Sequence, residues 1–420
     1  MSTNPFRVLR HRDYAVFWIA AVTSDIGTWM QMVTVGIIVA DETGKASSTG
    51  LIAAAAIVPQ FFAAPIGGVV ADRFDRRNVL RLSLAVQSAV TVVLSVLLTA
   101  DHPSPGWMAL VVFVQNSFNS FGLPSSQAML PDLVPPQELT SAVALTNVSW
   151  NAGRIAGPAL AGLVIAVTDP PWVIRVNAVS FLVLFLALSM LRRDFRPPAR
   201  TVHPTFVASL TEGVRVIRSS PSLRMLVRIA MLAQMALVPL AALLPIVARN
   251  VFDGGSGLTS ILTTGHGAGC LVGAAMAPTL IAHFGRSRTL ATCAFISVVL
   301  GPLVVNAPWR AAAVIAVVAY GVAMMCIFVS LMGATQRDAP PASRGRVLSL
   351  VVSLWGLLYG VATLGMGALG DQIGLRLAFT VWAVAVFAAY ANMIWRRHDT
   401  WKLLDHNDPT PLRRLDAPRR

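Results

Sequence analysis

Two side chains stand where charge is costly. Of the 19 Asp and Glu, only Asp25 falls near the middle of a long apolar stretch, and of the 33 Lys and Arg only Arg154 does so clearly. A charge at the centre of a membrane helix costs at least about 2.5–3.5 kcal/mol on insertion scales, so an intramembrane ionisable residue points to function. An acid in a low-dielectric site holds a proton, and one beside a guanidinium releases it. Asp25 with Arg154 as its partner therefore has the chemistry of a proton carrier. The same two residues could instead form a static pair that fixes helix packing, or touch a cargo directly.

Other polar residues recur at helical spacing. Asn147, Asn151 and Arg154 stand at i, i+4 and i+7 and share one helix face. Ser24, Thr28 and Gln31 form a second stripe beside Asp25, and Gln115 and Asn119 are four apart in a third stretch. Stripes of this kind cannot face lipid, so a water-filled central cavity is expected, with Thr28, Gln31, Gln115, Asn119, Asn147 and Asn151 on its wall. The second half of the chain is less polar. Gln234 shares a face with Met231, Met235 and Val238; soft methionine surfaces suit varied apolar ligands, although such a stripe is more often core packing. His266 could titrate near neutral pH, although a lone membrane histidine more often packs. Trp355 and Tyr359 could stack on a cargo or on a neighbouring helix.

These sites need a membrane around them. The chain has 420 residues, 55 % apolar and only 12 % charged, with a mean hydropathy of +0.66. Soluble domains carry roughly a quarter of their residues charged, which argues against a cytosolic enzyme and against disorder. Twelve stretches of about 20 or more mostly apolar residues fit the hydrocarbon core. They cover roughly 14–40, 50–71, 79–100, 107–129, 141–167 and 173–191, then 225–248, 258–283, 289–306, 311–333, 347–369 and 375–395. The first is too long for a signal-peptide core and is expected to be retained. The ten-residue alternation of a transmembrane barrel is absent.

The basic residues orient the spans. Of the 33 Lys and Arg, 27 precede span 1, follow every second span or lie in the tail, whereas only Lys45, Arg175, Arg249, Arg310 and Arg376 lie in the other loops. The positive-inside rule then puts both termini in the cytoplasm, with the protein in the cell (inner) membrane. A net charge of +14 arranged this way fits membrane loops and not a nucleic-acid surface.

The halves are related. A shift of 205 residues carries Pro135-Pro136 onto Pro340-Pro341, Leu145 onto Leu350, Trp150 onto Trp355 and Gly162 onto Gly367. At a shift of 210, Arg73-Phe74-Asp75-Arg76 meets His283-Phe284-Gly285-Arg286. The expected architecture is all-α: a six-helix bundle over 1–191, a basic cytoplasmic linker over 192–224, a second six-helix bundle over 225–395 and a cytoplasmic tail over 396–420. Two repeats of this kind suit alternating access by rocking. The Pro-rich linker reads as a partly helical strap whose basic residues meet anionic lipid.

Two motifs add mechanism. Between spans 2 and 3, Gly68, Asp72, Arg73, Arg76 and Arg77 crowd a cytoplasmic turn with charges of both signs. Such a group can lock in one conformer and break in the other, as a gate requires. In span 5, Gly153 and Gly157 make a small-xxx-small pair, and Pro158 invites a bend. Gly68-x-x-x-Asp72-Arg73-x-x-Arg76-Arg77 resembles the signature loop of the major facilitator superfamily. Asp75 stands where that family usually has Gly. Since Asp tolerates a left-handed turn, the turn is expected to survive. Gly27-Thr28-Trp29-Met30-Gln31, Arg344-Gly345-Arg346 and the run Asn151, Gly153, Arg154, Gly157, Pro158, Gly162 resemble the enterobactin-exporter and drug–proton antiporter branch.

The resemblance implies efflux of a small molecule in exchange for protons, with import of a nutrient or lipid flipping as the alternatives within the same fold. Few cavity charges point to an amphipathic or apolar cargo. No clustered ligands or nucleophile–base pair suggests an enzyme. The seven histidines are scattered, and Cys270, Cys293 and Cys326 lie in apolar stretches, so neither a zinc site nor a disulfide scaffold is expected. No phosphate-binding loop for ATP occurs, and no cofactor is expected. A monomer is expected, since each bundle can cover the other.

Overall fold

The computed structural model describes residues 5–99, 103–193, 195–196, 206–340 and 343–396. Among these the chain is helical, without a strand. The first half contains α1 (Arg12–Thr43), α2 (Ala46–Ile57), α3 (Gln60–Ala71), α4 (Arg76–Leu97), α5 (Pro105–Leu133), α6 (Leu139–Val167) and α7 (Pro170–Ser189). A shorter helix, α8 (Phe206–Ser219), leads to α9 (Pro221–Phe252), α10 (Ser256–Phe284), α11 (Arg286–Val305), α12 (Arg310–Asp338), α13 (Arg344–Ile373) and α14 (Leu375–Arg396).

Local chemistry explains the boundaries. Pro105, Pro170 and Pro221 sit in the first turn of α5, α7 and α9, where a missing N–H is no loss. Gly44, at φ +63°, closes α1 by donating its N–H to the Ala40 carbonyl at 3.0 Å. Span 2 is interrupted at Val58–Pro59, because Pro59 cannot donate to the helical ladder. Both residues keep right-handed helical angles, so 46–71 still forms one 26-residue crossing. Span 7 starts at Pro221 instead of about 225, and the helical part of the linker is α8. The linker stretch 197–205 and the tail beyond Arg396 lie outside the described residues.

Among the described residues, eleven helical segments are long and apolar enough to cross a membrane. The remaining long helix, α5, has 29 residues but carries the polar runs Gln115-Asn116-Ser117 and Ser125-Ser126-Gln127. It packs against α2, α3 and α4, which bury Gln115, Ser120 and Ser125 away from lipid. With α5, the described residues supply the twelve long helical segments that the sequence leads one to expect.

Buried apolar residues cluster mainly within each half, although Ala40 and Ala46 of the first join the cluster of the second. In the first, α1 packs on α6 and α7 while α4 packs on α5 and α7. The Tyr14 hydroxyl and Trp18 Nε1 on α1 donate to the carbonyls of Ala142 and Leu145 on α6, each at 2.9 Å. In the second, α12 packs on α10 and α11, and α9 on α13. Tyr320 is fully buried and donates to the Leu237 carbonyl at 2.5 Å. Besides contacts of α9 with α1 and α2, the most extensive helix crossings between the halves are α2 with α13 and α6 with α10. The repeat positions Gly162 and Gly367 mark them. A Cβ on Gly162 would lie 2.7 Å from Ser260 Oγ, and one on Gly367 would lie 2.7 Å from the Ala46 carbonyl.

Candidate functional site

The close approach of α1 and α6 brings the two intramembrane charges near one another. A Cβ on Gly157 would stand 2.5 Å from Trp29 Cβ, and one on Gly153 would stand 3.0 Å from the Asp25 carbonyl. Only residues without a side chain let the helices meet this closely. Ser149, one turn before Gly153, donates its hydroxyl to Asp25 Oδ2.

Arg154 turns elsewhere. Among the described residues it forms no ion pair with Asp25. Its guanidinium carbon lies 5.3 Å from the centroid of the Trp29 ring, and its Nε is buried without a hydrogen-bond partner. On the other side α10 passes so close that a Cβ on Gly267 would meet the Arg154 carbonyl at 2.8 Å. His266, Cys270 and Tyr359 of the second half lie within electrostatic reach of Arg154. The cation therefore belongs to the seam between the halves, whereas Asp25 is held inside the first half.

The polar stripes separate into two groups. Gln31 and Gln115 are expected on a cavity wall, but they are only 5 % and 4 % exposed and bond to each other, Gln31 Nε2 to Gln115 Oε1 at 2.5 Å. Asn177 on α7, wholly buried, donates to Gln31 Oε1 at 2.6 Å and accepts from Ser180 Oγ at 2.9 Å. This is a satisfied interior network that holds α1, α5 and α7 together. Both a dry network and a wet cavity keep polar groups from lipid, so the spacing alone could not distinguish them. Asn177→Ala leaves the Gln31 carbonyl oxygen unpaired. It is expected to cost about 1–3 kcal/mol of stability, read as a lower unfolding midpoint of the purified protein.

The second group is more open. Asn119 and Asn147 are exposed, and Asn147 and Asn151 donate back to the carbonyls of Val143 and Asn147. Thr28 is half-buried and bonds the Ser24 carbonyl. Trp150, exposed on α6, packs edge-on against Trp29 with centroids 5.4 Å apart. Across the seam, Trp355 packs on Phe328 at 4.9 Å, its Nε1 is buried without a partner, and its carbonyl accepts from Gln234 at 3.3 Å. His266 is buried, with Nε2 3.9 Å from Cys270 Sγ.

Among the described residues, the polar contacts between the halves gather at one end. Asp371, closing α13, accepts the N–H of Ala46 at 2.6 Å and of Ser47 at 3.1 Å, and so caps α2 of the other half. Arg249 on α9 donates to the Ala40 carbonyl and stands 3.5 Å from Asp41, while Asn250 donates to the Gly44 carbonyl at 2.8 Å. Below this latch the seam continues through Gly50 against Thr363, Gly360 against Val58 and Gly267 against Arg154. At the opposite end, Gly68 and Gly345 have open space where a Cβ would stand. Sequence reasoning missed the latch. No local signal shows that Asp371 caps a helix 325 residues away.

The signature loop is anchored within the first half. Arg76 donates to the Ala128 carbonyl at 3.0 Å and pairs with Asp132 at 3.3 Å, and Arg77 donates to the Leu191 carbonyl at 3.2 Å. Asp72 ends α3, and Arg73 is exposed. Asp75 does not adopt a left-handed turn. At φ −57° it is the N-cap of α4, accepting the Asn78 N–H at 3.1 Å, which accounts for an acid at this position.

Among the described residues no group of three or more His, Cys, Asp or Glu could hold a metal ion. The chain is 27 % identical over 378 residues to the uncharacterized MFS-type transporter YfiS of Bacillus subtilis, covering 85 % of this chain and 87 % of that one. It is 21 % identical over 369 residues to macrolide efflux protein A of Streptococcus pyogenes, covering 86 % and 90 %. Among solved structures, a D323A mutant of the nucleoside transporter NupG superposes with a TM-score of 0.75 at 13 % identity, covering 91 % of this chain and all of that one, which shows a shared fold. The family described as transmembrane secretion effector matches residues 3–418, and the chain belongs to it: a multi-pass membrane transporter of the major facilitator type, not an enzyme.

Proposed function

We propose that this protein exports a small amphipathic or apolar compound, a drug or siderophore-like metabolite, from the cytoplasm by alternating access in exchange for protons. It sits in the cell membrane with both termini in the cytoplasm and works as a monomer. The observation that carries this reading is the one-sided latch above the two intramembrane charges. Asp371, Arg249 and Asn250 tie the halves at the end assigned to the outside by the basic residues. Arg154, at the middle of α6, lies where the halves meet, and Asp25 is one helix away. Similarity to a macrolide efflux protein supports the outward direction. In the signature loop, Arg76 and Arg77 brace the first half, and Asp72 and Arg73 follow α3 on the side that must close when the latch opens.

Asp25 is the proton carrier in this reading. It is the one acid near the middle of a span, and among the described residues its hydrogen-bond partner is a neutral hydroxyl. Everted vesicles test the direction. With the interior acidified, an exporter accumulates a fluorescent dye or a catecholate siderophore, and a protonophore stops it. Cargo leaving vesicles under the same gradient would instead establish the importer or flippase alternative.

A further inference from the structure

We infer that Arg154 anchors an anionic group of the transported molecule, so that the cargo is an aromatic or apolar body bearing a carboxylate or similar compact oxyanion. This rests on the transporter reading above and narrows its cargo class. A guanidinium in a membrane is expected to be paired, since an uncompensated buried charge is among the most costly arrangements in a protein. Asp25, the obvious partner, is engaged by Ser149, and among the described residues no carboxylate pairs with Arg154.

The surroundings hold donors that lack acceptors. Trp29 Nε1, Trp355 Nε1 and Arg154 Nε are all buried without hydrogen-bond partners. Tyr359 lies within electrostatic reach of Arg154 and one helical turn from Trp355. Arg154 Nε and the indole N–H of the Trp29 beneath it, both without acceptors, are complementary to an oxyanion. The planar fork of arginine binds a carboxylate through two parallel bonds. Trp29, with the guanidinium over its ring and Trp150 at its edge, gives the apolar part of such a molecule a stacking surface. A cationic cargo would meet the same guanidinium with repulsion.

Three probes of one shape test this: 2-naphthoate, 2-naphthamide and 2-naphthylmethylammonium. Each is measured by equilibrium dialysis against the full chain in lipid nanodiscs. The carboxylate is expected to bind at least about tenfold more tightly than the amide, and the ammonium most weakly. Arg154→Gln removes the preference for carboxylate without weakening the amide, and Arg154→Lys keeps part of it. Equal or tighter binding of the amide or ammonium overturns the inference. So does the absence of naphthoate binding, or a preference that survives in Arg154→Gln. The order of affinities in the unmodified protein decides the matter even where the variants do not fold. Because the binding assay ignores sidedness, reversed transport in vesicles would refute export alone.

Discussion

Asp25→Asn abolishes accumulation of cargo against its gradient in everted vesicles while leaving the protein inserted and folded. One-for-one exchange with a proton allows about tenfold accumulation per unit of pH difference, because each unit is worth about 1.4 kcal/mol. Asn keeps the size of Asp and can still accept the Ser149 hydroxyl, so the α1–α6 contact survives. It cannot bind and release a proton, so the accumulation ratio falls to about one whatever the pH difference. Facilitated equilibration of cargo remains, and it no longer responds to a protonophore. A variant that still concentrates cargo as the parent does would remove Asp25 from the mechanism and leave it a packing role.

Asp371→Ala shifts the protein away from the conformer closed at the latch. The carboxylate takes two N–H groups at the start of α2, where four backbone donors would otherwise lack partners and the helix dipole favours negative charge. Loss of a cap costs about 0.5–2 kcal/mol and loss of the charge at the helix terminus about 0.3–1 kcal/mol. Because these contacts join the two halves, the loss falls on one conformer and not on the fold, a shift of roughly fourfold to a hundredfold in the ratio of states. Spin labels at the exposed positions Lys45 and Arg376, in a chain with the three buried cysteines replaced, report it as a gain in the longer distance. Adding Arg249→Ala, which removes the donor to the Ala40 carbonyl, increases the gain. An unchanged distance distribution in the double variant would show that apolar packing of α2 on α13 closes this end without the polar latch.

The two predictions describe complementary parts of one cycle. Arg154 lies on the seam, so any rocking that parts α6 from α10 changes what surrounds it. Asp25 lies behind it on α1, across the Gly153–Gly157 contact, and keeps its Ser149 partner as long as the first half moves as a body. Opening of the latch thus alters the environment of the cation directly and that of the acid only through solvent and through Arg154.

What the residues determined alone was what the bilayer enforces locally. Runs of apolar residues long enough to cross, basic residues in alternate loops, proline at helix starts and two costly charges all express the lack of water around the chain. The likeness of the halves survives in Gly162 and Gly367 because each must admit another helix. Tertiary structure decided which polar groups face one another. Gln31 and Gln115 have the spacing of a cavity wall, yet Asn177 completes their bonding inside a bundle. Arg154 shares a stripe with Asn147 and Asn151, yet its charge is met by a tryptophan face and the second half instead of by Asp25. Asp371 gains its role from a helix end far away in the chain. Helical period fixes only the side of a helix on which a group lies. The partner depends on how the helices are rotated and tilted against each other, and that is set by contacts distributed along the whole length of both halves.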